Sequence, residues 1–69
     1  MNILIIGGGG REHALARAIS TSKKCTQLYA APGNPGISQF ATCLEIFSDN
    51  PQAIIQECQK RKIELVVIG

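Results

Sequence analysis

Four consecutive glycines are the feature of this sequence best suited to hold a ligand. The glycine loop (residues 7–10) follows the apolar run at residues 3–6 and precedes a segment with helical spacing. Glycine has no Cβ atom and tolerates positive φ, so such a backbone can approach a ligand closely. The first N–H groups of a helix have no partner within it, and the helix dipole favours an anion there. The order strand, glycine loop and helix therefore predicts a phosphate site, and four glycines exceed what a tight turn needs for packing alone.

The glycine loop lacks residues that define the two common nucleotide-binding loops. A Walker loop requires Gly-Lys-Ser/Thr, whereas Gly10 is followed by Arg11 and Glu12. The dinucleotide fingerprint Gly-x-Gly-x-x-Gly can be aligned only with Glu12 or His13 at its third glycine. The second predicted strand also ends without the acidic residue that binds a ribose 2′-OH. Triphosphate hydrolysis of the Walker type is excluded, and NAD binding is the weaker alternative.

Three polar residues directly follow the glycine loop. The Arg11 guanidinium can add a bidentate contact to a phosphate that backbone N–H groups already hold. Glu12 has two open roles, since it can stabilise the first helical turn or accept a hydrogen bond from a sugar hydroxyl or an amine. His13 has no partner at metal-ligand spacing, so a structural contact between helix and loop is favoured over acid–base catalysis. The sequence predicts no catalytic residue and no metal ligand.

Alternating strands and helices must position these groups. Runs of apolar and β-branched residues predict four strands, at residues 3–6, 26–31, 42–47 and 63–68. Apolar residues at helical spacing predict a helix from Arg11, and the Ser-Asp-Asn-Pro signature at residues 48–51 predicts the start of a second. This alternation indicates an α/β fold with a parallel sheet and right-handed crossovers.

The same patterns predict which surfaces are buried and where the loops meet. The strands at 3–6 and 63–68 are expected to be buried on both faces. The first helix is expected to turn four residues toward the sheet: Ala14, Leu15, Ala18 and Ile19. Two prolines and two glycines make residues 32–36 a loop. Ligands bind beyond the carboxyl ends of parallel strands, so this loop and the glycine loop should converge.

Composition and charge exclude several functional classes. The 69 residues are 45% hydrophobic and 17% charged, which indicates a globular chain and not a disordered one. A net charge of +2 from dispersed lysines and arginines does not predict a nucleic-acid surface. The apolar run near Met1 is too short for a secretory or membrane-spanning segment, so no membrane partner and a cytoplasmic location are expected. Three cysteines without C-x-x-C spacing indicate reduced thiols.

Three motifs in combination resemble one known family. They are residues 5–15 (Ile-Ile-Gly-Gly-Gly-Gly-Arg-Glu-His-Ala-Leu), residues 31–36 (Ala-Pro-Gly-Asn-Pro-Gly) and residues 65–69 (Leu-Val-Val-Ile-Gly). Together they bracket the whole chain and are similar to the N-terminal segment of the glycinamide ribonucleotide synthetases, or phosphoribosylamine–glycine ligases. The first two motifs carry the specificity, while the third alone would mean little.

This resemblance implies a Rossmann-like (pre-ATP-grasp) N-terminal domain that is incomplete in residues 1–69. It implies an ATP-grasp ligase of de novo purine biosynthesis, in which ATP and Mg²⁺ serve to phosphorylate glycine. The amine of 5-phosphoribosylamine then attacks the glycyl phosphate. The family binds ATP and Mg²⁺ on later ATP-grasp domains, outside this segment, so residues 1–69 alone are expected to have no ligase activity.

By position in the family, the resemblance assigns six residues to the phosphoribosylamine site: Gly9, Gly10, Arg11, Glu12, Asn34 and Gly36. The first four belong to the glycine loop and the helix start, and the last two to the second loop, which Pro35 stiffens. Two alternatives remain at this point. One is a dinucleotide-binding Rossmann segment of an oxidoreductase, and the other is a small α/β scaffold without a ligand of its own.

Overall fold

A computed structural model describes residues 1–47 and 49–69 of the chain. Strands and helices alternate within these residues, as the sequence predicts. In chain order the elements are β1 (Asn2–Gly7), α1 (Gly10–Ser20), β2 (Gln27–Pro32), a 3-10 turn (Ile37–Gln39), β3 (Thr42–Cys43), α2 (Pro51–Lys60) and β4 (Leu65–Ile68). The predicted third strand is shorter than expected, because the backbone leaves the sheet after the Leu44 N–H donates to the Ala30 carbonyl at 2.7 Å.

The four strands form one parallel sheet with the order β3-β2-β1-β4. β1 is central, since Ile5 lies opposite Ala30 of β2 on one side and opposite Val67 of β4 on the other. All three pairings are parallel, so every strand ends at the same edge of the sheet. The predicted α/β fold with a parallel sheet is confirmed.

Two apolar clusters cover the two faces of the sheet. On the α1 face, Ile3 and Ile5 pack with the fully buried Ala16 of the helix. On the other face, Leu4 packs with Ala31 and Leu44, and with partly buried residues of α2 such as Ile54 and Cys58. Successive residues of a strand point to opposite faces, so the continuous apolar run of β1 is buried on both sides, as expected.

The prediction for the buried side of α1 was right for two residues and wrong for two. Leu15 and Ile19 pack against the core, whereas Ala14 and Ala18 are exposed. The buried residue of α1 is Ala16, which is 0% exposed and packs in the cluster with Ile3 and Ile5. The helix is rotated so that this small side chain faces the strands, which lets the helix lie close to them.

The prediction that the last strand is buried was wrong. β4 begins at Leu65 and not at Ile63, and Leu65, Val66 and Ile68 are 45%, 42% and 78% exposed. β4 is an edge strand with one neighbour, β1, and both apolar clusters are centred on β1 and β2. Within the described residues, Val67 is the residue of β4 that packs against the core, while Leu65, Val66 and Ile68 stay exposed.

The second helix starts as its sequence signature predicts. The Asn50 side chain caps α2 by accepting a hydrogen bond from the Ala53 N–H at 3.3 Å, and Pro51 occupies the first turn. Ser48, the first residue of the signature, lies outside the described residues. α1 has 11 residues and α2 has 10, and no helix in the described part of the chain is long and apolar enough to cross a membrane.

One substitution made at two sites measures the difference between the central and edge strands. Ile5→Val removes a methylene group from a side chain that is 0% exposed, and Ile68→Val removes it from one that is 78% exposed. We expect Ile5→Val to lower the free energy of unfolding by about 1 kcal/mol. We expect Ile68→Val to change it by less than about 0.5 kcal/mol. Urea denaturation of both variants checks this, and equal losses would contradict the exposed edge.

Candidate phosphate-binding site

The glycine loop connects the end of β1 to the start of α1. Gly7 has φ +134°, and a side chain there would collide with Glu12. Gly9 is the N-cap of α1, in an extended conformation, and it makes no side-chain cap hydrogen bond. The His13 N–H closes the first turn by donating to the Gly9 carbonyl at 3.0 Å. Because the cap is a glycine, the cap residue contributes no side chain to cover the first N–H groups of α1.

The start of α2 provides a contrast within the same chain. There the Asn50 carboxamide takes the hydrogen bond of a first-turn N–H group, that of Ala53. The two helix starts thus differ in the property that matters for anion binding. α1 offers free N–H donors at the carboxyl edge of the sheet, whereas α2 is capped by its own sequence.

The Asn34 loop (residues 33–36) follows β2 and lies against the glycine loop. The Gly33 N–H donates to the Gly7 carbonyl at 3.0 Å. The Asn34 Nδ2 donates to the Gly8 carbonyl at 2.7 Å, and its Oδ1 accepts from the Ile37 N–H at 2.8 Å. The structure therefore brings the two predicted loops together at one edge of the sheet.

Cys43 supports the Asn34 loop, a contact that sequence analysis missed. Gly33 has φ +72°, and a side chain there would collide with the Cys43 Sγ. The Sγ also donates a weak hydrogen bond to the Asn34 carbonyl at 3.6 Å. Cys43 is a free thiol on β3, and its position under the loop depends on β3 pairing with β2. No local sequence signal reveals that contact.

Glu12 and His13 leave the first turn of α1 in different directions. The Glu12 side chain lies over the ends of the two neighbouring strands, β1 and β4, where a Cβ on Gly69 would be 2.6 Å from its Cδ. The His13 ring packs on Phe40, with centroids 5.8 Å apart. A Cβ on Gly36 would be 2.9 Å from the His13 Cε1. His13 thus makes the predicted structural contact between helix and loop.

The six residues assigned to the site lie around this junction with unequal exposure. Gly9, Gly10 and Arg11 are exposed at the helix start. Glu12, Asn34 and Gly36 are partly buried. Neither ion pair found in the described residues involves Arg11 or Glu12. Arg11 therefore adds a cation at the helix start that forms no ion pair in the described residues. The Glu12 carboxylate lies over the strand ends and beside the glycine loop, since a Cβ on Gly9 would be 3.4 Å from its Oε2.

The structure shows two differences between this loop region and a dinucleotide site. Glu12 stands where the fingerprint has its third glycine, and its side chain fills the space above Gly7. β2 ends in Ala30, Ala31 and Pro32, with no carboxylate for a ribose diol. The fold and the loop geometry together define a Rossmann-like α/β domain in which the glycine loop leads into a helix with a glycine N-cap.

Comparisons with known proteins identify the family. The family described as phosphoribosylglycinamide synthetase, N domain, matches residues 1–69, and the chain belongs to this family. Proteins named phosphoribosylamine–glycine ligase match all 69 residues: 46% identity in Rhizobium meliloti, 51% in Mesorhizobium japonicum and 38% in Caldanaerobacter subterraneus. The resemblance drawn from the sequence motifs is confirmed. The chain spans 16% of the length of each of these relatives.

Two glycines of the loop should respond differently to the same substitution. A Cβ at Gly8 would lie 2.7 Å from the Gly33 carbonyl oxygen, whereas a Cβ at Gly10 would meet nothing within 4 Å. Gly8→Ala must push the two loops apart, and we expect a loss of about 1–3 kcal/mol in the free energy of unfolding. Gly10→Ala favours the helix, and we expect a gain of at most about 1 kcal/mol. Thermal and urea unfolding measure both, and an unaffected Gly8→Ala variant would rule out the tight junction.

Proposed function

We propose that residues 1–69 form the phosphoribosylamine-binding part of a phosphoribosylamine–glycine ligase. The observation that carries this proposal is the hydrogen-bonded junction of the glycine loop with the Asn34 loop, beside a helix start that has a glycine N-cap and no side-chain cap hydrogen bond. Family membership and the names of the relatives support it. The proposed reaction takes place in the cytoplasm, in de novo purine biosynthesis.

The proposed reaction joins glycine to 5-phosphoribosylamine. The glycine carboxylate is activated as an acyl phosphate at the expense of ATP, and the amine displaces phosphate to give glycinamide ribonucleotide and ADP. In the described residues, no three His, Cys, Asp or Glu side chains lie close enough to hold a metal ion. On the resemblance to the ligase family, we place ATP and Mg²⁺ outside residues 1–69, in the ATP-grasp domains of a longer parent protein, and expect this chain alone to be inactive.

In this proposal, the charges of Arg11 and Glu12 determine which end of the substrate faces which side chain. The phosphate group lies at the start of α1, where it accepts hydrogen bonds from the N–H groups of Gly9 and Gly10 and pairs with Arg11. Glu12 repels a phosphate, so the carboxylate faces a hydrogen-bond donor of the substrate, its amine or a ribose hydroxyl. Asn34 and Gly36 belong to the site through the second loop, which is hydrogen-bonded to the glycine loop.

Titration of the chain with ribose 5-phosphate tests the phosphate end of the site. In ¹H–¹⁵N NMR spectra we expect shifts concentrated in the glycine loop, Arg11 and the Asn34 loop. Arg11→Ala should weaken binding about tenfold, because it removes a charge-assisted hydrogen bond. Arg17→Ala is the matched control, since Arg17 is also an exposed arginine of α1 but lies in its last turn. Its affinity should stay within about twofold of the parent chain, since a distant exposed charge is largely screened.

Three outcomes would contradict the proposed site. Equal losses of affinity in Arg11→Ala and Arg17→Ala would show that Arg11 acts only through the net charge of the chain and not through a contact with the phosphate. An absence of shifts in the glycine loop would support a scaffold without a ligand. Enhanced fluorescence of added NADH would favour the dinucleotide alternative.

A chimaera tests the role of Glu12 in the complete reaction. This chain replaces the matching segment of the Rhizobium meliloti ligase, to which it is 46% identical. We expect the chimaera to form glycinamide ribonucleotide and the isolated chain to form none. Glu12→Gln in the chimaera should raise the KM for 5-phosphoribosylamine about tenfold, because it weakens a charged hydrogen bond, and leave the KM values for ATP and glycine unchanged.

Glu64→Gln is the control for this substitution. Glu64 lies at the opposite, amino edge of the sheet and accepts a hydrogen bond from the Asn2 N–H at 3.1 Å, which a glutamine oxygen can also accept. Its kinetics should match those of the chimaera. Product formation by the isolated chain, or a Glu12→Gln effect confined to ATP, would refute the assignment.

A further inference from the structure

Both ends of the Asn34 carboxamide are engaged inside the protein. The Nδ2 donates to the Gly8 carbonyl at 2.7 Å, and the Oδ1 accepts from the Ile37 N–H at 2.8 Å. The side chain is partly buried between the two loops. The family resemblance assigns Asn34 to the substrate site. Because its carboxamide is already bonded at both ends within the chain, contact with a ligand is not its main role.

The Asn34 side chain continues the pairing of β1 with β2 beyond the ends of the strands. The last register pair is Gly7 with Pro32, and the Gly33 N–H then donates to the Gly7 carbonyl at 3.0 Å. The next carbonyl of the glycine loop, that of Gly8, is bonded by the side chain of Asn34. A side-chain N–H thus takes the place of a backbone donor in the ladder.

This bond fixes the direction of the following N–H group. In a planar trans peptide, the carbonyl of one residue and the N–H of the next point to opposite sides. The Gly8 carbonyl points toward Asn34, so the Gly9 N–H points away from the Asn34 loop. Glycines on both sides of this peptide make its rotation easy, and the Asn34 hydrogen bond is therefore needed to hold it.

We propose that Asn34 is a positioning residue that orients the Gly9 N–H for an anion and does not itself carry the ligand. This inference rests on the proposed function for the identity of the anion. The orientation itself rests on the Asn34–Gly8 hydrogen bond, which is made entirely within the chain.

Asn50 provides a closely matched control for removing Asn34. Both side chains accept a hydrogen bond from the N–H three residues later, Asn34 from Ile37 and Asn50 from Ala53. The difference is the donor, since the Nδ2 of Asn34 alone bonds the glycine loop. Asn34→Ala and Asn50→Ala therefore lose the same kind of acceptor, and only the first loses the bond to Gly8. Asn34→Asp is the second variant, which retains the acceptor and removes the donor.

The decisive measurement is made first without ligand. In Asn34→Ala and Asn34→Asp, we expect the Gly8 carbonyl ¹³C and the Gly9 amide resonances to shift, while Asn50→Ala leaves both in place. With inorganic phosphate as the probe, Asn34→Ala should bind about tenfold more weakly than the parent chain and Asn50→Ala equally well. A purely structural role would instead lower hydrogen-exchange protection throughout the sheet.

The outcomes separate this inference from the proposed function. Weaker phosphate binding by Asn34→Ala with unchanged Gly8 and Gly9 resonances would make Asn34 a direct ligand contact and overturn the inference. Unchanged resonances in both Asn34 variants would overturn it as well, whatever the affinity. If the parent chain binds no phosphate, the proposed function fails, while shifts in the ligand-free Asn34 variants still support the orienting role.

Discussion

Parallel pairing of β1 with β2 is the interaction on which the site depends, because parallel strands end at the same edge of a sheet. The glycine loop and the Asn34 loop are separated by more than twenty residues of sequence, yet the pairing places them side by side. Two bonds carry that pairing past the strand ends: Gly33 N–H to the Gly7 carbonyl, and Asn34 Nδ2 to the Gly8 carbonyl. Without this register, the Asn34 loop would not be hydrogen-bonded to the glycine loop at the start of α1.

The two helix starts differ in how their first N–H groups are used: a side chain caps α2, whereas a glycine caps α1. At α2, Asn50 supplies its own cap, which stabilises the helix and occupies a first-turn donor. At α1, the cap is Gly9, which has no side chain and so cannot stabilise the helix by a side-chain cap hydrogen bond. The sequence thus places no cap side chain over the donors where the strands end, and it adds Arg11 and Glu12 in the same turn. A ligand with both an anion and a hydrogen-bond donor matches this pair of charges.

Much of the fold could be predicted from the sequence, because its signals are local. The apolar run of β1, the glycine loop and the proline-rich loop each constrain a few neighbouring residues, and their order implies a parallel sheet. Contacts that depend on register or on a third element could not be predicted. The bond from Asn34 to Gly8 requires the alignment of two strands, and the position of Cys43 under Gly33 requires a third. Exposure of Ile68 depends on what lies beyond an edge, which an apolar pattern does not encode.

The proposed site requires that backbone N–H groups at the start of α1 hold the phosphate of a phosphoribosyl ligand. A through-hydrogen-bond ¹⁵N–³¹P correlation on the ¹⁵N-labelled chain with ribose 5-phosphate tests this requirement. We expect cross-peaks from the phosphate to the amides of Gly9 and Gly10. A bound ligand that gives cross-peaks to amides of α2, or that gives none to amides of the glycine loop, would refute the proposed site.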